Sequence, residues 1–273
     1  MMLRTALVQL RTPTTQAGGL AHAAPLVREA AAAGAQLVLT PEGANILQKD
    51  REAMMAAAAT PDTDIAVAGL RALADELNIW LLIGSALVLR EDGRLANRSM
   101  LVDDTGAVRA TYDKIHMFDV DLPNGDRYRE SFLYAPGDRA VVAASPWGGV
   151  GLTVCYDVRF PALYRALARA GAAIITVPAA FTVPTGEAHW ETLLRARAIE
   201  TGCFVLAPAQ GGRHEDGRAT WGRSTAVDPW GRIIARADHD EPCVTMVDLD
   251  LDEVARARGA IPALANERAF EGP

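Results

Sequence analysis

Apolar residues along the chain fall into short, β-branched blocks that alternate with longer amphipathic, alanine-rich stretches. Residues 3–10 and 36–40 read as buried strands, and the stretch 20–33 between them as a helix closed by Gly34. A second helix over 62–77 leads to a long strand at 79–89. Glu91-Asp92-Gly93 then marks a hairpin turn, with a return strand at 96–102 and a further strand at 108–112 after the turn at 104–106. Regular patterning lapses over 117–136, a loop long enough to form a wall or lid of a pocket. It resumes with strands at 140–144 and 150–154, a helix at 161–170 ending at Gly171, and a strand at 172–177. A polar loop at 182–187 precedes a helix at 189–200 and a strand at 203–208, and a charged loop at 211–220 follows. Strands near 224–227, 233–236 and 243–247, a short helix near 250–258 and an irregular tail complete the chain. No proline-rich or glycine-serine linker interrupts the alternation, so residues 1–273 read as one domain.

Three strand ends carry residues with chemistry. The run from Gly149 to Val154 stops at Cys155, and a helical pattern begins at Pro161, so Cys155 sits at a strand-to-helix corner where backbone N–H groups can face a developing anion. The ordinary role of a lone cysteine there is that of a small buried hydrophobe. The strand at 36–40 stops at Pro41-Glu42, placing a carboxylate at the edge where open α/β sheets gather ligand groups; a solvated loop acid is the alternative. The strand at 108–112 runs into Asp113-Lys114, where a lysine is ordinarily a surface residue. Together, a thiol, a carboxylate and a fixed cation suit nucleophilic acyl chemistry on a carbon–nitrogen bond: the carboxylate takes the thiol proton and the cation stabilises the oxyanion. A free thiol, with a pKa of about 8.5, is only partly ionised at neutral pH, so such neighbours raise its reactivity.

Composition narrows the setting. Half of the 273 residues are hydrophobic, enough for a substantial core, and the net charge of −7 argues against a nucleic-acid partner. Cys155, Cys203 and Cys243 lie far apart without a CxxC pair, which supports neither a disulfide framework nor a zinc site. His22, His116, His189, His214 and His239 show no HxH or HxxxH pairing, so no metal or cofactor is expected. The absence of a GxSxG elbow argues against a serine hydrolase. The first ten residues lack the apolar core and cleavage site of a signal peptide, and no uncharged apolar run reaches the roughly 18 residues of a membrane span. The expected setting is a reducing cytoplasm, with no membrane partner.

The segments Pro41-Glu42-Gly43, Tyr112-Asp113-Lys114-Ile115-His116-Met117-Phe118-Asp119 and Cys155-Tyr156-Asp157-Val158-Arg159-Phe160-Pro161 resemble, in this order, the three signature segments of the nitrilase superfamily of carbon–nitrogen hydrolases. The similarity runs from Leu3 to about Leu251. It implies an α+β fold, a four-layer αββα sandwich of two mixed sheets packed face to face. It also implies Glu42 as general base, Lys114 as oxyanion stabiliser and Cys155 as the nucleophile of a thioester intermediate. The backbone N–H of Tyr156 becomes the second oxyanion donor, and Glu130 the supporting carboxylate that holds the lysine and orients substrate. Ammonia leaves in the first half-reaction, and water activated by Glu42 hydrolyses the thioester in the second.

Within the superfamily, the segments 179–186, 189–201 and 207–214 are similar to the Nit branch. That similarity implies an amidase for a small carboxylated amide, deaminated glutathione or an α-keto acid ω-amide, with N-carbamoyl amino acid hydrolysis or a non-catalytic binding or scaffold role as alternatives. A carboxylated substrate needs a fixed cation or aligned N–H groups. Arg159, Arg213 and the hydroxyls of Tyr156 and Thr185 are candidates, with Phe118 and Phe181 as further substrate contacts; a structural salt bridge is the alternative role for Arg159. Asp113, where arginine is commoner in the family, and the charged stretch 125–129 are departures expected near the pocket. The resemblance further implies a homodimer or higher homo-oligomer through the helices at 161–170 and 189–200, with the tail from about 250 packing at the interface. On the second of these helices Arg195, Arg197 and Glu200 are either interface groups or a solvated face.

Overall fold

Alternation along the first strand already sets the layering. In the computed structural model, which describes residues 1–122 and 125–272, β1 (Met2–Gln9) turns Leu3 and Leu7 to one side and Ala6 and Val8 to the other. Both faces are buried, so each needs a covering layer. The chain continues through α1 (Gln16–Ala32), β2 (Leu37–Leu39), α2 (Arg51–Ala57), α3 (Ile65–Leu77), β3 (Trp80–Leu89), β4 (Leu95–Val102) and β5 (Val108–Asp113). α1 and α3 bring Ala23, Val27, Ala30, Val67 and Leu70 onto the face that carries Ala6 and Val8. Both helices have side-chain N-caps: Thr15 accepts from the Gly18 N–H, and Asp64 from those of Ala66 and Val67.

A short hairpin, β6 (Asp119–Asp121) with β7 (Arg127–Arg129), leads to the second half. It comprises β8 (Val141–Ser145), β9 (Gly148–Leu152), α4 (Pro161–Arg169), β10 (Ala172–Thr176), α5 (Val183–Thr201), β11 (Phe204–Ala207), β12 (Gly211–Arg213), β13 (Ala219–Trp221), β14 (Thr225–Val227), β15 (Ile233–Arg236), β16 (Cys243–Asp250), α6 (Asp252–Ala260) and α7 (Ala263–Asn266). Two six-stranded sheets result, in the orders β16-β1-β2-β3-β4-β5 and β15-β14-β11-β10-β9-β8. Each has a parallel centre, β1-β2-β3 or β9-β10-β11, with antiparallel flanks. Leu3, Leu7, Leu82 and Leu101 of the first sheet share one buried cluster with Val150, Leu152, Ile174 and Leu206 of the second, to which α4 and α5 add Leu167 and Leu194. The layers therefore run helix, sheet, sheet, helix, the αββα sandwich that the resemblance implies. Between the sheets the fit is close: a Cβ on Gly84 would lie 1.8 Å from the Thr40 carbonyl oxygen and 2.6 Å from Pro178 Cβ.

Several elements differ from the sequence reading. β9 ends at Leu152, not Val154, because the Thr153 hydroxyl leaves the ladder for the Thr176 carbonyl and the Tyr164 hydroxyl. The stretch 182–187 forms the first turns of α5, where Pro184 lacks only an N–H that the helix does not use. Gly186 is required there, since a Cβ would lie 2.3 Å from the Trp221 side chain. The loops read at 117–136 and 211–220 each contain a hairpin of three-residue strands; Pro123 and Asn124 lie outside the described residues. α2 forms where the pattern assigned no element. Arg197 is not on a solvated face: it is buried, donates to the Val158 carbonyl at 2.7 Å and pairs with Glu200, whereas Arg195 is exposed and donates to the Gly231 carbonyl. Part of the tail packs on its own chain, with Val254 buried and Arg258 donating to the carbonyls of Thr201 and Ala172. Among the described residues no helix is long and apolar enough to cross a membrane. The three cysteines are unpaired.

The β12–β13 hairpin holds a buried imidazole. His214 lies 2.7 Å from the Thr220 hydroxyl, and burial, aided by the Arg218 guanidinium, pushes its pKa down to about 4. Between pH 6.5 and 4 the unfolded chain thus binds a proton that the folded chain refuses, so this group removes stability as pH falls through that window. We expect His214→Gln to gain about 3 kcal/mol relative to the wild type between pH 7 and pH 4. Parallel urea melts at the two pH values measure this, and an unchanged difference between the proteins would contradict it.

Candidate active site

Strands from both sheets end at one place between them. β2 delivers Glu42, β9 leads to Cys155, β10 to Ala180 and β11 to Gln210, while the antiparallel β4 and β5 supply Asn97 and Lys114. The backbone after β2 is pinned before any chemistry is considered. The Gly43 N–H donates to Ser85 Oγ, the Ala44 N–H to the Ser85 carbonyl, and Gln210 Nε2 to the Glu42 carbonyl at 2.9 Å.

The Glu42 carboxylate is 7% exposed and saturated with donors. Oε1 accepts from Lys114 Nζ at 3.0 Å and from Asn97 Nδ2 at 2.7 Å, Oε2 accepts from the Ala180 N–H at 2.8 Å, and the Cys155 thiol also hydrogen-bonds to the carboxylate. Lys114 is 2% exposed, and its ammonium donates as well to both oxygens of Glu130, at 2.9 and 2.8 Å. Glu130 further accepts from the Phe118 N–H at 2.7 Å and from Asn97 Nδ2 at 3.2 Å. The four residues expected from sequence therefore form one connected cluster: Lys114 bridges Glu42 and Glu130, and Glu42 bridges Lys114 and Cys155.

Electrostatics then assign the protons. Burial alone would raise the Glu42 pKa, but the Lys114 ammonium and hydrogen bonds from Cys155, Lys114 and Asn97 outweigh it and hold the carboxyl below its usual range. Burial would likewise neutralise Lys114, yet Glu130 and Glu42 keep its pKa well above that of an ordinary lysine. The thiol moves the other way: burial and the Glu42 charge push Cys155 well up, against the opposing pull of Lys114. At rest the site holds a neutral thiol beside an ionised carboxylate, not a thiolate. Its charged groups are two carboxylates and one ammonium, net −1. Among the described residues no cluster of three or more His, Cys, Asp or Glu is placed to hold a metal ion.

Cys155 itself has φ +50, a left-handed conformation that a non-glycine residue adopts at a cost of about 1–2 kcal/mol. Two anchors hold it there. Its N–H donates to the Pro178 carbonyl at 2.9 Å, and the following 3-10 turn, Cys155–Arg159, is tied down by the fully buried Asp157. Asp157 accepts from the Tyr112 hydroxyl at 2.7 Å and from the N–H groups of Val154 and His116 at 2.8 and 3.1 Å, and it lies 2.7 Å from His116 Nδ1. The strand end that carries Lys114 is thereby bound to the turn that carries Cys155. The Tyr156 amide, at the start of that turn, has no acceptor among the described residues.

Four of the substrate-contact candidates lie side by side. The Phe118 ring meets Tyr156 at 5.1 Å, and the Arg159 guanidinium lies 5.9 Å from the Tyr156 ring centre and 5.5 Å from that of Phe181. Arg159 approaches His189 Nδ1 at 3.3 Å and has no carboxylate partner among the described residues, so the salt-bridge alternative does not hold. Among the described residues no hydrogen bond or ring contact joins Thr185 or Arg213 to this wall: the Thr185 hydroxyl is shared with Thr182 Oγ1 at 2.8 Å, and Arg213 is exposed on β12. Asp113 corrects an expectation. It faces away from Lys114 and takes a bidentate pair with Arg98 at 2.6 and 2.9 Å, in a concavity of about 690 Å³ on the outer flank of the sheet where Arg71 and Arg90 also lie. Alternation along β5 sends successive side chains to opposite faces, so this departure from the family motif does not reach the site. Sequence reasoning missed Asn97, Gln210 and the Asp157 hub; Asn97 stands beside Arg98 and Ser99 in the polar middle of the strand 95–102, where no local signal singles it out.

The chain is similar to known proteins over nearly its whole length. Residues 4–259 match the family model described as carbon-nitrogen hydrolase. A protein of Yersinia enterocolitica named deaminated glutathione amidase is 45% identical over 238 residues, 86% of this chain and 82% of that one. The NitFhit protein of C. elegans superposes with a TM-score of 0.91 at 32% identity, covering 98% of this chain, which spans 65% of that longer one. An amidase from Nesterenkonia sp. AN1, solved with acrylamide added at its active site cysteine, matches at a TM-score of 0.78 and 28% identity over 95% of this chain and 98% of its own. With a buried thiol, carboxylate and ammonium in contact at the junction of two sheets, and a family match over nearly the whole sequence, the chain belongs to the carbon–nitrogen hydrolase family.

Proposed function

We propose that the protein hydrolyses the terminal carbon–nitrogen bond of a small carboxylated amide, deaminated glutathione or a related α-keto acid ω-amide, through a Cys155 thioester. The observation that carries this reading is the Glu42 carboxylate in contact with both the Cys155 thiol and the Lys114 ammonium. As the sulfur attacks the amide carbon, the thiol proton passes to Glu42 and the carbonyl oxygen gains charge, which Lys114 and the Tyr156 N–H stabilise. The C–N bond then breaks, Glu42 returns its proton to the leaving nitrogen, and ammonia departs. Water attacks the thioester with Glu42 again as base, which regenerates the thiol and releases a carboxylate. Glu130 holds Lys114 throughout. The relatives' names support the substrate class, since the most similar of them include deaminated glutathione amidases.

Cys155→Ala is expected to reduce ammonia release to the uncatalysed level and Glu42→Gln to lower kcat by roughly a hundredfold or more. A screen of deaminated glutathione, α-ketoglutaramate and N-carbamoyl amino acids checks the substrate: reaction of the carbamoyl compounds alone would replace the amidase reading, unchanged release in Cys155→Ala would remove the thioester, and no release from any of them would leave a binding or scaffold role.

Arg159, without a carboxylate partner among the described residues and backed by Tyr156 and Phe181, is the proposed receptor for the substrate carboxylate, with Thr185 and Arg213 as contacts for the more distal part of a longer substrate. Losing one charge-assisted hydrogen bond, Arg159→Leu should raise KM for a carboxylated amide roughly tenfold to a hundredfold. KM for a neutral amide of the same length should barely move; an equal rise for both would remove Arg159 from this role.

We further place the enzyme in the reducing cytoplasm, where three free thiols persist, as a homodimer through α4 and α5 with the tail beyond residue 250 at the interface. Exposed Ile199 and Trp230 on that side support this reading. Sedimentation should give twice the monomer mass, and a monomer at micromolar concentration would exclude the dimer.

A further inference from the structure

Asparagine is poorly suited to a buried strand, because it packs little apolar surface and its amide needs partners on both edges. Asn97 nevertheless stands inside β4 at 2% exposure, opposite Leu87. Alternation places it with Leu101 on the face toward the second sheet, while Arg98 turns outward to Asp113. Its carbonyl accepts the Lys114 N–H at 3.0 Å, and its Nδ2 donates to Glu42 Oε1 at 2.7 Å and to Glu130 Oε1 at 3.2 Å. Its Oδ1 is buried and has no partner among the described residues.

That orphaned oxygen is informative. Turning the amide over would set Oδ1 against two carboxylate oxygens, so the donor edge is fixed and the acceptor edge goes unmet. An asparagine kept only to knit strands together would satisfy both edges. This one gives up one edge to serve two anions.

We propose, on the reading of Glu42 as the base for Cys155, that Asn97 is a positioning residue: its amide spans Glu42 and Glu130 and holds both carboxylates in the orientation in which they share Lys114 and Glu42 meets the thiol. A neutral donor suits this place. A second cation would bridge the carboxylates equally well, but it would cancel the net negative charge that lets Glu42 accept a proton. With Asn97 the carboxylates are fixed while the charge is kept.

The test is the pH dependence of Cys155 alkylation by iodoacetamide, read at that residue by mass spectrometry, beside kcat and KM for ammonia release. In the wild type the rate falls on the acid side as Glu42 takes a proton, below the usual carboxylate range. Asn97→Leu keeps the volume and removes the donors. It should move that limb up by roughly one pH unit and lower kcat more than it raises KM. Asn97→Asp puts a third carboxyl group against the other two. Its alkylation should be slow at neutral pH and rise on acidification, as the introduced carboxyl is protonated and its O–H resumes the donation. An unshifted limb with unchanged kcat in Asn97→Leu overturns the proposal. If that variant does not fold by circular dichroism, Asn97→Asp decides, and a rate that falls with acid as in the wild type overturns it. Glu42→Gln separates the two readings: an acid limb that survives there removes Glu42 as the base, whereas a limb lost there and unmoved in Asn97→Leu removes only the role of Asn97.

Discussion

One ammonium buried between two carboxylates is the interaction around which the rest of the structure is arranged. Taking Lys114, Glu42 and Glu130 out of water costs several kcal/mol per ion, repaid only if nearly every oxygen and proton finds a partner. The fold supplies those partners from five separate places: Asn97 on β4, Ala180 after β10, Phe118 before the β6–β7 hairpin, the thiol of Cys155, and Gln210, which holds the Glu42 backbone. No local stretch of chain could provide them. Two sheets meeting face to face, each ending its central parallel strands on the same side, can. Once formed, the cluster has a property suited to the proposed chemistry: its net charge of −1 moves from Glu42 to the substrate oxygen and back, so no new charge has to be created in a dry interior.

The same demand explains the strain at Cys155. A left-handed Cys155 turns the chain sharply out of the strand direction, and only a surround that over-determines the backbone keeps it there. Asp157 is that surround. It binds the hydroxyl of Tyr112 on β5, the N–H of His116 just after Lys114, and the N–H of Val154 just before Cys155. His116 also stacks on Phe160 at 3.6 Å, nearly parallel. The cation and the thiol are thus positioned through one shared buried carboxylate, and neither can shift without disturbing the other.

What could be read from the sequence follows from this division of labour. Glu42, Lys114 and Cys155 each follow closely on a strand that the local pattern marks, and their motifs together marked the family, so the proposed reacting groups and the four layers were legible. Glu130 was legible through the resemblance alone, because the hairpin before it is made of charged three-residue strands that show no clear period. Asn97, Asp157 and Gln210 act through hydrogen bonds to residues 55, 45 and 168 positions away, respectively, and such contacts leave no periodic trace. The start of α5 was misread for a different reason: Thr182-Val183-Pro184-Thr185-Gly186 has the composition of a loop, and only the neighbouring Trp221 shows why a glycine is needed inside a helix there. Asp113 was misjudged because its motif neighbour is Lys114, yet adjacent strand residues face opposite ways.

The presence of two glutamates on one lysine has its own logic. In the proposed cycle Glu42 must accept a proton from the thiol, surrender it to the leaving nitrogen, and accept another from water, so its proton affinity has to stay near that of its partners. Burial alone would make it too ready to hold a proton, and an undivided Lys114 charge would make it too reluctant. Glu130 shares the ammonium through both of its oxygens, and so weakens the hold of Lys114 on Glu42 while keeping the lysine charged against the cost of burial. Replacing Glu130 by a neutral residue would therefore do more than loosen Lys114: it would turn the full ammonium onto Glu42 and leave the base too weak for a thiol whose own pKa the site has raised.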